Sequence, residues 1–237
     1  MPEKLVVAID GPAGSGKSTS AMLVAEKLGY LYIDTGAMYR AITFLALQKN
    51  LQDEADIIKL AEQTDLKLDF VDSRTKVFVD NIEITENIRS PEVNARVSDI
   101  SKIEGLRKIL VKKQREMVNL DRGVVMEGRD IGTVVFPEAD VKIFMIASIE
   151  ARAERRMKEY LGKGIDIPLE EVKKNLLSRD EIDSGRDVSP LTMAPNAVEV
   201  DTSRVSISEQ VDIIIDEIKK AAYKKGIKFS DVSLEKN

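Results

Sequence analysis

One eight-residue segment, Gly11–Ser18, constrains the fold of this chain more than any other feature. It matches the pattern G-x-x-x-x-G-K-[ST] and stands between an apolar, β-branched run at 5–9 and a stretch with helical spacing at 17–28. Glycines at these positions let backbone N–H groups turn inward, and the start of the next helix adds partial positive charge. The segment therefore predicts a strand, a phosphate-binding loop and a helix.

The side chains of this loop predict a site for ATP with Mg²⁺. We expect Lys17 to bridge the β- and γ-phosphates, the Ser18 hydroxyl to ligate magnesium, and Thr19 to support the α-phosphate side. The alternative, a glycine-rich turn with a chance lysine, fits the flanking strand and helix less well. The predicted ATP-binding residues are Gly11, Pro12, Ala13, Gly14, Ser15, Gly16, Lys17, Ser18 and Thr19.

Composition restricts the chemistry. The 237 residues include no histidine and no cysteine, so catalysis depends on Asp, Glu, Lys, Arg, Tyr or hydroxyl groups, and a metal is expected to be a hard cation such as Mg²⁺. A net charge of −5 provides no positive field for nucleic acid. No apolar run approaches the about 20 residues that span a bilayer. We expect a cytoplasmic monomer that binds neither nucleic acid nor membrane.

The pattern along the chain predicts an α/β fold. Strands alternate with helical stretches, which favours a doubly wound parallel sheet of five strands with helices on both faces, as in P-loop NTPases. Between Leu66 and Ile84 the hydrophobicity alternates instead, which predicts a small inserted antiparallel β subdomain. Predicted strands of the main sheet are 5–9, 31–33, 123–127, 141–146 and 198–200, and predicted helices are 17–28, 35–47, 54–62, 92–98, 102–120, 149–160, 169–182 and 206–223.

A second anion site is predicted after the second strand. The segment Asp34–Arg40 begins a helix, and Arg40 lies one turn in, on the side that can reach a phosphate. No N-K-x-D motif is present, which argues against a GTPase. In the alternative interpretation Thr35 only caps the helix and Arg40 is a solvated charge.

Two further groups of charged residues stand at predicted sheet or helix ends. Glu127–Asp130 follows a strand at the edge where ligands bind, so Glu127 is expected to order magnesium through water, and Arg129 and Asp130 to contact the acceptor. An ordinary charged turn is the alternative there. The second group is rich in arginine and predicts a triphosphate contact, or else a solvated face balanced by Glu150, Glu154 and Glu159; its members are Arg152, Arg155, Arg156, Arg179, Asp183 and Arg186.

From about Val6 to about Ile215, the order of these motifs resembles the bacterial cytidylate kinases, a family of P-loop nucleoside monophosphate kinases. The matching segments are Gly11–Ser18, Asp34–Arg40, Ile88–Arg107, Glu127–Thr133 and Arg179–Leu191. Two departures, Leu106 where valine is more usual and Asn196 where aspartate is common, touch no proposed site residue.

The resemblance implies phosphorylation of CMP and dCMP by ATP, and it implies roles for particular residues. Thr35, Tyr39, Arg40 and Arg129 are expected to hold the acceptor phosphate, Ser98, Arg107 and Asp130 to read cytosine, and Asp183 to contact the sugar with Arg179 nearby. The residues expected to act in phosphoryl transfer are Lys17, Arg129, Arg152, Arg156, Arg179 and Arg186.

The same resemblance predicts how the chain is divided. We expect a core domain from 1–35, 101–151 and 184–225, a monophosphate-binding domain at 36–100 with an insertion at about 64–87, a helical lid at 152–183, and a frayed tail at 226–237. Two other functions stay open: another small-molecule P-loop kinase of the adenylate or shikimate type, and a nucleotide-binding regulator without turnover.

Overall fold

The computed structural model describes residues 5–71, 74–118, 123–162 and 164–227. Its main sheet has five strands: β1 (Val6–Asp10), β2 (Leu31–Asp34), β6 (Val124–Gly128), β7 (Val141–Ile146) and β8 (Val198–Asp201). All are parallel, in the order β2-β6-β1-β7-β8. All five strands were predicted from the sequence, and the parallel five-stranded architecture is confirmed.

Helices cover both faces of this sheet. Alternate residues of β1 point to opposite sides, as the strand period requires. Val7 and Ile9 pack against α1 (Lys17–Leu28) and α8 (Ile207–Lys224), whereas Ala8 packs on the face covered by α5 (Glu104–Glu116). The sheet is therefore buried on both sides, and its strand ends are open to side chains from the connecting segments.

The alternating segment forms the predicted antiparallel insertion. It contains β3 (Leu66–Val71), β4 (Arg74–Val79) and β5 (Ile82–Glu83). The turn between β4 and β5 places Asp80 and Asn81 at positive φ, 50° and 66°, which these residue types tolerate better than most. This sheet shares a second hydrophobic core with α5 and with three other helices: α2 (Thr35–Gln48), α3 (Glu54–Gln63) and α4 (Pro91–Ile100).

Two connections differ from expectation. Helix α5 ends at Glu116, so its predicted extension to Leu120 was wrong at 117 and 118, and 119–120 lie outside the described residues. A π-helix at Ile131–Val135 was not predicted. Its two five-residue hydrogen bonds run from the N–H of Val135 to the carbonyl of Asp130 at 3.1 Å and from the N–H of Phe136 to the carbonyl of Ile131 at 2.7 Å.

The remaining helices, α6 (Ile149–Leu161) and α7 (Leu169–Gly185), pack against each other and occupy the segment predicted as the lid. The domain boundaries stay predictions. Of the predicted tail, residues 228–237 lie outside the described part of the chain. Among the described helices, none combines the length and apolarity that crossing a bilayer requires.

Candidate active site

The glycine loop joins the end of β1 to the start of α1, and two of its glycines have no substitute. A Cβ atom at Gly11 would lie 2.1 Å from the carbonyl oxygen of Met145 on β7. Gly16 adopts φ 91°, a left-handed conformation in which a side chain is strained. The loop can therefore keep its tight curvature only with glycine at these positions.

Lys17 is the buried cation of this loop. Its ammonium group donates to the carbonyl of Pro12 at 3.3 Å and lies 3.8 Å from a carboxylate oxygen of Glu127. Burial lowers the pKa of Lys17 to about 7, and Arg129 adds to the lowering, whereas Glu127 and Asp34 oppose it. A desolvated cation of this kind is stabilised when an anion binds beside it.

Oxygen donors meet next to Lys17. The Ser18 hydroxyl donates to Glu127 Oε1 at 2.6 Å, and the hydroxyl of Tyr32 lies 3.4 Å from the same oxygen. Burial and the nearby Asp34 raise the pKa of the Glu127 carboxyl. Within the described residues, no group of three or more acidic side chains is arranged to hold a metal alone. A hydroxyl and one carboxylate fit Mg²⁺ that takes its other ligands from phosphates and water.

The helix after β2 begins with a hydrogen-bonded aspartate. Asp34 accepts from the N–H of Ala37 at 3.0 Å with one oxygen, and from Arg40 Nη2 at 2.7 Å with the other. Burial acts to raise the pKa of Asp34, but the charges of Arg40 and Arg89 hold it below the usual value. The hydroxyl of Thr35 donates to the carbonyl of Glu127 at 2.8 Å. Asp34 thus caps α2 and orients Arg40, a role that the sequence analysis missed.

A buried aromatic and ionic cluster lies between α2, α5 and the turn after β6. Arg107 donates to Asp130 at 2.5 Å and to the carbonyl of Ser101 at 3.0 Å, and its guanidinium carbon lies 5.2 Å from the ring centre of Tyr39. The Tyr39 hydroxyl and Arg107 Nε are buried without a hydrogen-bond partner. Ser98 is buried on α4. Unpaired buried polar groups are costly, so this cluster is suited to a polar ligand.

An ion pair joins the turn after β6 to α7, where a second arginine contacts the same carboxylate. Arg129 Nε donates to Asp183 at 2.8 Å, and Arg186 Nη1 lies 3.9 Å from the other oxygen of that carboxylate. Burial lowers the pKa of Arg179 to about 10; the charges of Arg129, Arg156 and Arg40 add to this, and Asp183 opposes it. Guanidinium groups from four segments are therefore close enough to repel one another, and a bound anion would relieve that repulsion.

Helices α6 and α7 hold two of the predicted arginines in ion pairs. Arg152 contacts Asp180 at 2.7 Å and donates to the carbonyl of Ala13 at 3.2 Å. Arg156 pairs with Glu159 at 2.8 Å on a more exposed surface. Ser18 and Thr19 are exposed at the start of α1. Several buried guanidinium nitrogens have no partner among the described residues, namely Arg40 Nε, Arg107 Nε, Arg152 Nε, Arg179 Nε and Arg186 Nη2.

Sequence reasoning also missed the function of Asp10. This buried carboxylate at the end of β1 accepts from the backbone N–H groups of Ile131 and Gly132, each at 2.8 Å. It therefore holds the π-helix that follows Asp130. Its position immediately before Gly11 was the only available signal, because a contact across more than a hundred residues leaves no local pattern.

Three features define a P-loop phosphotransferase. They are the parallel sheet, the glycine loop with its buried lysine, and the guanidinium groups that converge from α2, β6 and α7. A family model described as cytidylate kinase matches residues 7–220. The chain belongs to the cytidylate kinase family.

Relatives of similar sequence match this protein over nearly the whole chain. A cytidylate kinase from Bacillus subtilis is 48% identical over 220 residues, covering 92% of this chain and 98% of the relative. One from Desulforamulus reducens is 50% identical over 222 residues, covering 93% and 99%. Among solved structures, an uncharacterized protein from Eubacterium ventriosum has a TM-score of 0.53 at 11% identity, covering 92% of this chain and 99% of that one, and shows similarity of fold alone.

Proposed function

We propose that this protein transfers the γ-phosphoryl group of ATP directly to CMP and dCMP, giving CDP and dCDP. The observation that carries this proposal is the buried Arg107–Asp130 pair beside Tyr39, together with the buried Lys17, which lies 3.8 Å from Glu127 on β6. A nucleoside monophosphate kinase needs both a donor cradle and a base-reading site, and the family membership supports the assignment to cytosine nucleotides.

The donor site is assigned to the glycine loop. Backbone N–H groups of residues 11 and 13–16 would surround the phosphates, since Pro12 has no N–H to donate. Lys17 would bridge the β- and γ-phosphates, and Thr19 would support the α-phosphate side. Magnesium, when bound, neutralises charge on the phosphate oxygens and is held by the Ser18 hydroxyl and, through water, by Glu127. The 2.6 Å hydrogen bond from Ser18 to Glu127, and the 3.8 Å distance from Glu127 to Lys17, support this assignment.

The acceptor site is assigned to α2, α4, α5 and the turn after β6. Thr35, Tyr39, Arg40 and Arg129 hold the acceptor phosphate, and Asp183 contacts the sugar beside Arg179. Cytosine offers an N4 amine donor and an N3 acceptor, which match a carboxylate and a guanidinium such as Asp130 and Arg107. Ser98 assists in reading the base. Uracil reverses both groups, so it leaves buried polar atoms unpaired and is rejected.

Phosphoryl transfer through a loose transition state needs in-line positioning and dispersed positive charge. Lys17 and Arg129 provide that charge from the core, and the helices α6 and α7 provide more. The acceptor is already an ionised phosphate, so no strong general base is required, which suits a chain without histidine. Closure of the lid excludes water, which competes as a nucleophile. The lid residues assigned to this step are Arg152, Arg156, Arg179 and Arg186.

We propose a monomer that acts on small molecules. Nucleic acid and membrane are not proposed partners. Because ATP and nucleoside monophosphates are metabolites of the cytoplasm, the proposed activity belongs in that compartment.

An acceptor profile tests the proposed function. ADP formation from MgATP is measured with CMP, dCMP, UMP, AMP and shikimate as separate acceptors. We expect turnover with CMP and dCMP and a kcat/KM for UMP lower by on the order of 10⁴. Preference for AMP or shikimate would assign a different kinase, and ATP binding without acceptor-dependent ADP formation would assign a regulator.

A further inference from the structure

Carbonyl groups of the glycine loop are held by side chains. Four successive carbonyls each accept a hydrogen bond from a side chain: Lys17 belongs to the loop itself, and the other three donors come from α6 and from the residue after β8. The pairs are Lys17 to Pro12 at 3.3 Å, Arg152 to Ala13 at 3.2 Å, Arg155 to Gly14 at 3.3 Å and Thr202 to Ser15 at 2.8 Å.

These contacts bear directly on phosphate binding. A peptide unit carries its N–H and its C=O on opposite sides, so the loop can present N–H groups to an anion only while its carbonyls point away. A carbonyl removed from water needs a donor to remain in that orientation. The donors to these carbonyls therefore determine how well the N–H groups of the loop are aimed.

Arg155 and Thr202 form one unit behind the loop. Arg155 donates through Nη1 to the Thr202 hydroxyl at 3.1 Å and through Nη2 to the Thr202 carbonyl at 2.5 Å. Thr202 is completely buried, and its N–H donates to the carbonyl of Ile146 at 2.8 Å. The unit thus connects α6 and the ends of β7 and β8 to the carbonyls of Gly14 and Ser15.

We propose that Arg155 and Thr202 are positioning residues for the ATP phosphates. They act through the carbonyls of Gly14 and Ser15 and keep the adjacent N–H groups aimed at the phosphates. The buried Thr202 side chain performs this role without contacting the nucleotide. The inference rests on the proposed function only in taking ATP as the donor, and it concerns the donor site without involving the acceptor site.

Substitutions at Thr202 separate the hydroxyl from the volume of the side chain. Thr202→Val removes the hydroxyl at nearly constant volume, and Thr202→Ser retains it. We expect Thr202→Val to raise the Kd of MgATP, measured by calorimetry without acceptor, by about three- to tenfold. The KM for CMP is expected to stay within about twofold of wild type. Thr202→Ser is expected to bring the Kd of MgATP to within about twofold of wild type, because serine keeps the hydrogen bond that valine removes.

Arg155→Met provides an independent test because it keeps most of the aliphatic stem. Losing charged donors is expected to raise the Kd of MgATP by about ten- to a hundredfold. Arg204→Met is the matched control, since Arg204 is exposed two residues beyond Thr202, and it should bind MgATP as wild type does. If Thr202→Val does not fold, the comparison of Arg155→Met with Arg204→Met decides the question.

The proposal is overturned if Thr202→Val and Arg155→Met bind MgATP within twofold of wild type. It is also overturned if both variants weaken CMP as much as ATP, or if Thr202→Ser is as impaired as Thr202→Val. Failure of the proposed function has a different signature: wild type would bind MgATP yet form no CDP, and the Kd values would still test the two positioning residues.

Discussion

Arg107 and Asp130 form an ion pair with 2.5 Å between Nη2 and Oδ2, and their side chains are only 3% and 6% exposed. One comes from α5 and the other from the turn after β6. The pair is fixed from both sides, because Arg107 also donates to Ser101 and stacks over Tyr39. Neither charge can rotate away to solvent, so the pair presents a fixed pattern of donors and acceptors to a base.

Neutralising Asp130 is expected to impair recognition of the acceptor and to spare the donor. For Asp130→Asn we expect kcat/KM for CMP to fall by about 10²–10⁴, because buried groups that matched the base are left mispaired. The KM for ATP should change by no more than about threefold, the effect of at most one weak hydrogen bond. Asp56→Asn, at an exposed site on α3, is the control. Steady-state kinetics with each substrate varied makes the comparison; equal losses for CMP and ATP would remove the base-reading role.

Removing the ammonium group of Lys17 is expected to act on the chemical step. For Lys17→Ala we predict a fall in kcat of about 10²–10⁵, the range for groups that stabilise charge in phosphoryl transfer. Lys27→Ala is a matched control on the same helix, where the lysine is exposed and pairs with Asp212 at 3.3 Å. Single-turnover kinetics at saturating MgATP and CMP measures the step. Near-normal turnover in Lys17→Ala would contradict the assignment.

Arg186 is expected to contribute charge to the transferring phosphoryl group. It is 3% exposed, donates to the carbonyl of Ser189 at 2.5 Å and has an unpartnered Nη2. For Arg186→Ala we predict a loss of about 10²–10⁵ in kcat. Arg96→Ala, at a partly exposed position on α4, should retain wild-type turnover. Circular dichroism and thermal melting separate unfolding from loss of catalysis; a folded Arg186→Ala enzyme with normal kcat would refute the role.

The sequence predicted well those elements whose conformation is determined by residues close together in the chain. The loop at Gly11–Ser18 needs positive φ and close backbone approach, and only glycine at set spacings meets both needs. The alternation in 66–84 predicted the insertion because a two-residue period places one face toward a core. Each of these two sequence patterns lies entirely within a few dozen residues.

What could not be predicted depends on contacts between distant segments. The strand order and the π-helix at Ile131–Val135 have no periodic signal, and the π-helix is held at one end by Asp10 and at the other by Arg115, which donates to the carbonyls of Val134 and Val135. The orientation of Arg40 by Asp34 was also missed, although the two residues stand in one motif. Residue types identify charges, but their pairing is decided by packing.

Asp10 is expected to give the stability of the protein a specific pH dependence. Burial raises the pKa of its carboxyl from 3.8 to about 6, even though the N–H bonds from Gly132 and Ile131 oppose the rise. Between these two pH values the folded state binds more protons than the unfolded state, so the free energy of unfolding falls as pH rises through this window. Relative to Asp10→Asn, which does not titrate, wild type should lose about 2 kcal/mol between pH 4 and pH 7. Urea unfolding of both proteins across that range measures the difference, and a difference that stays constant with pH would show that folding does not raise the pKa of Asp10.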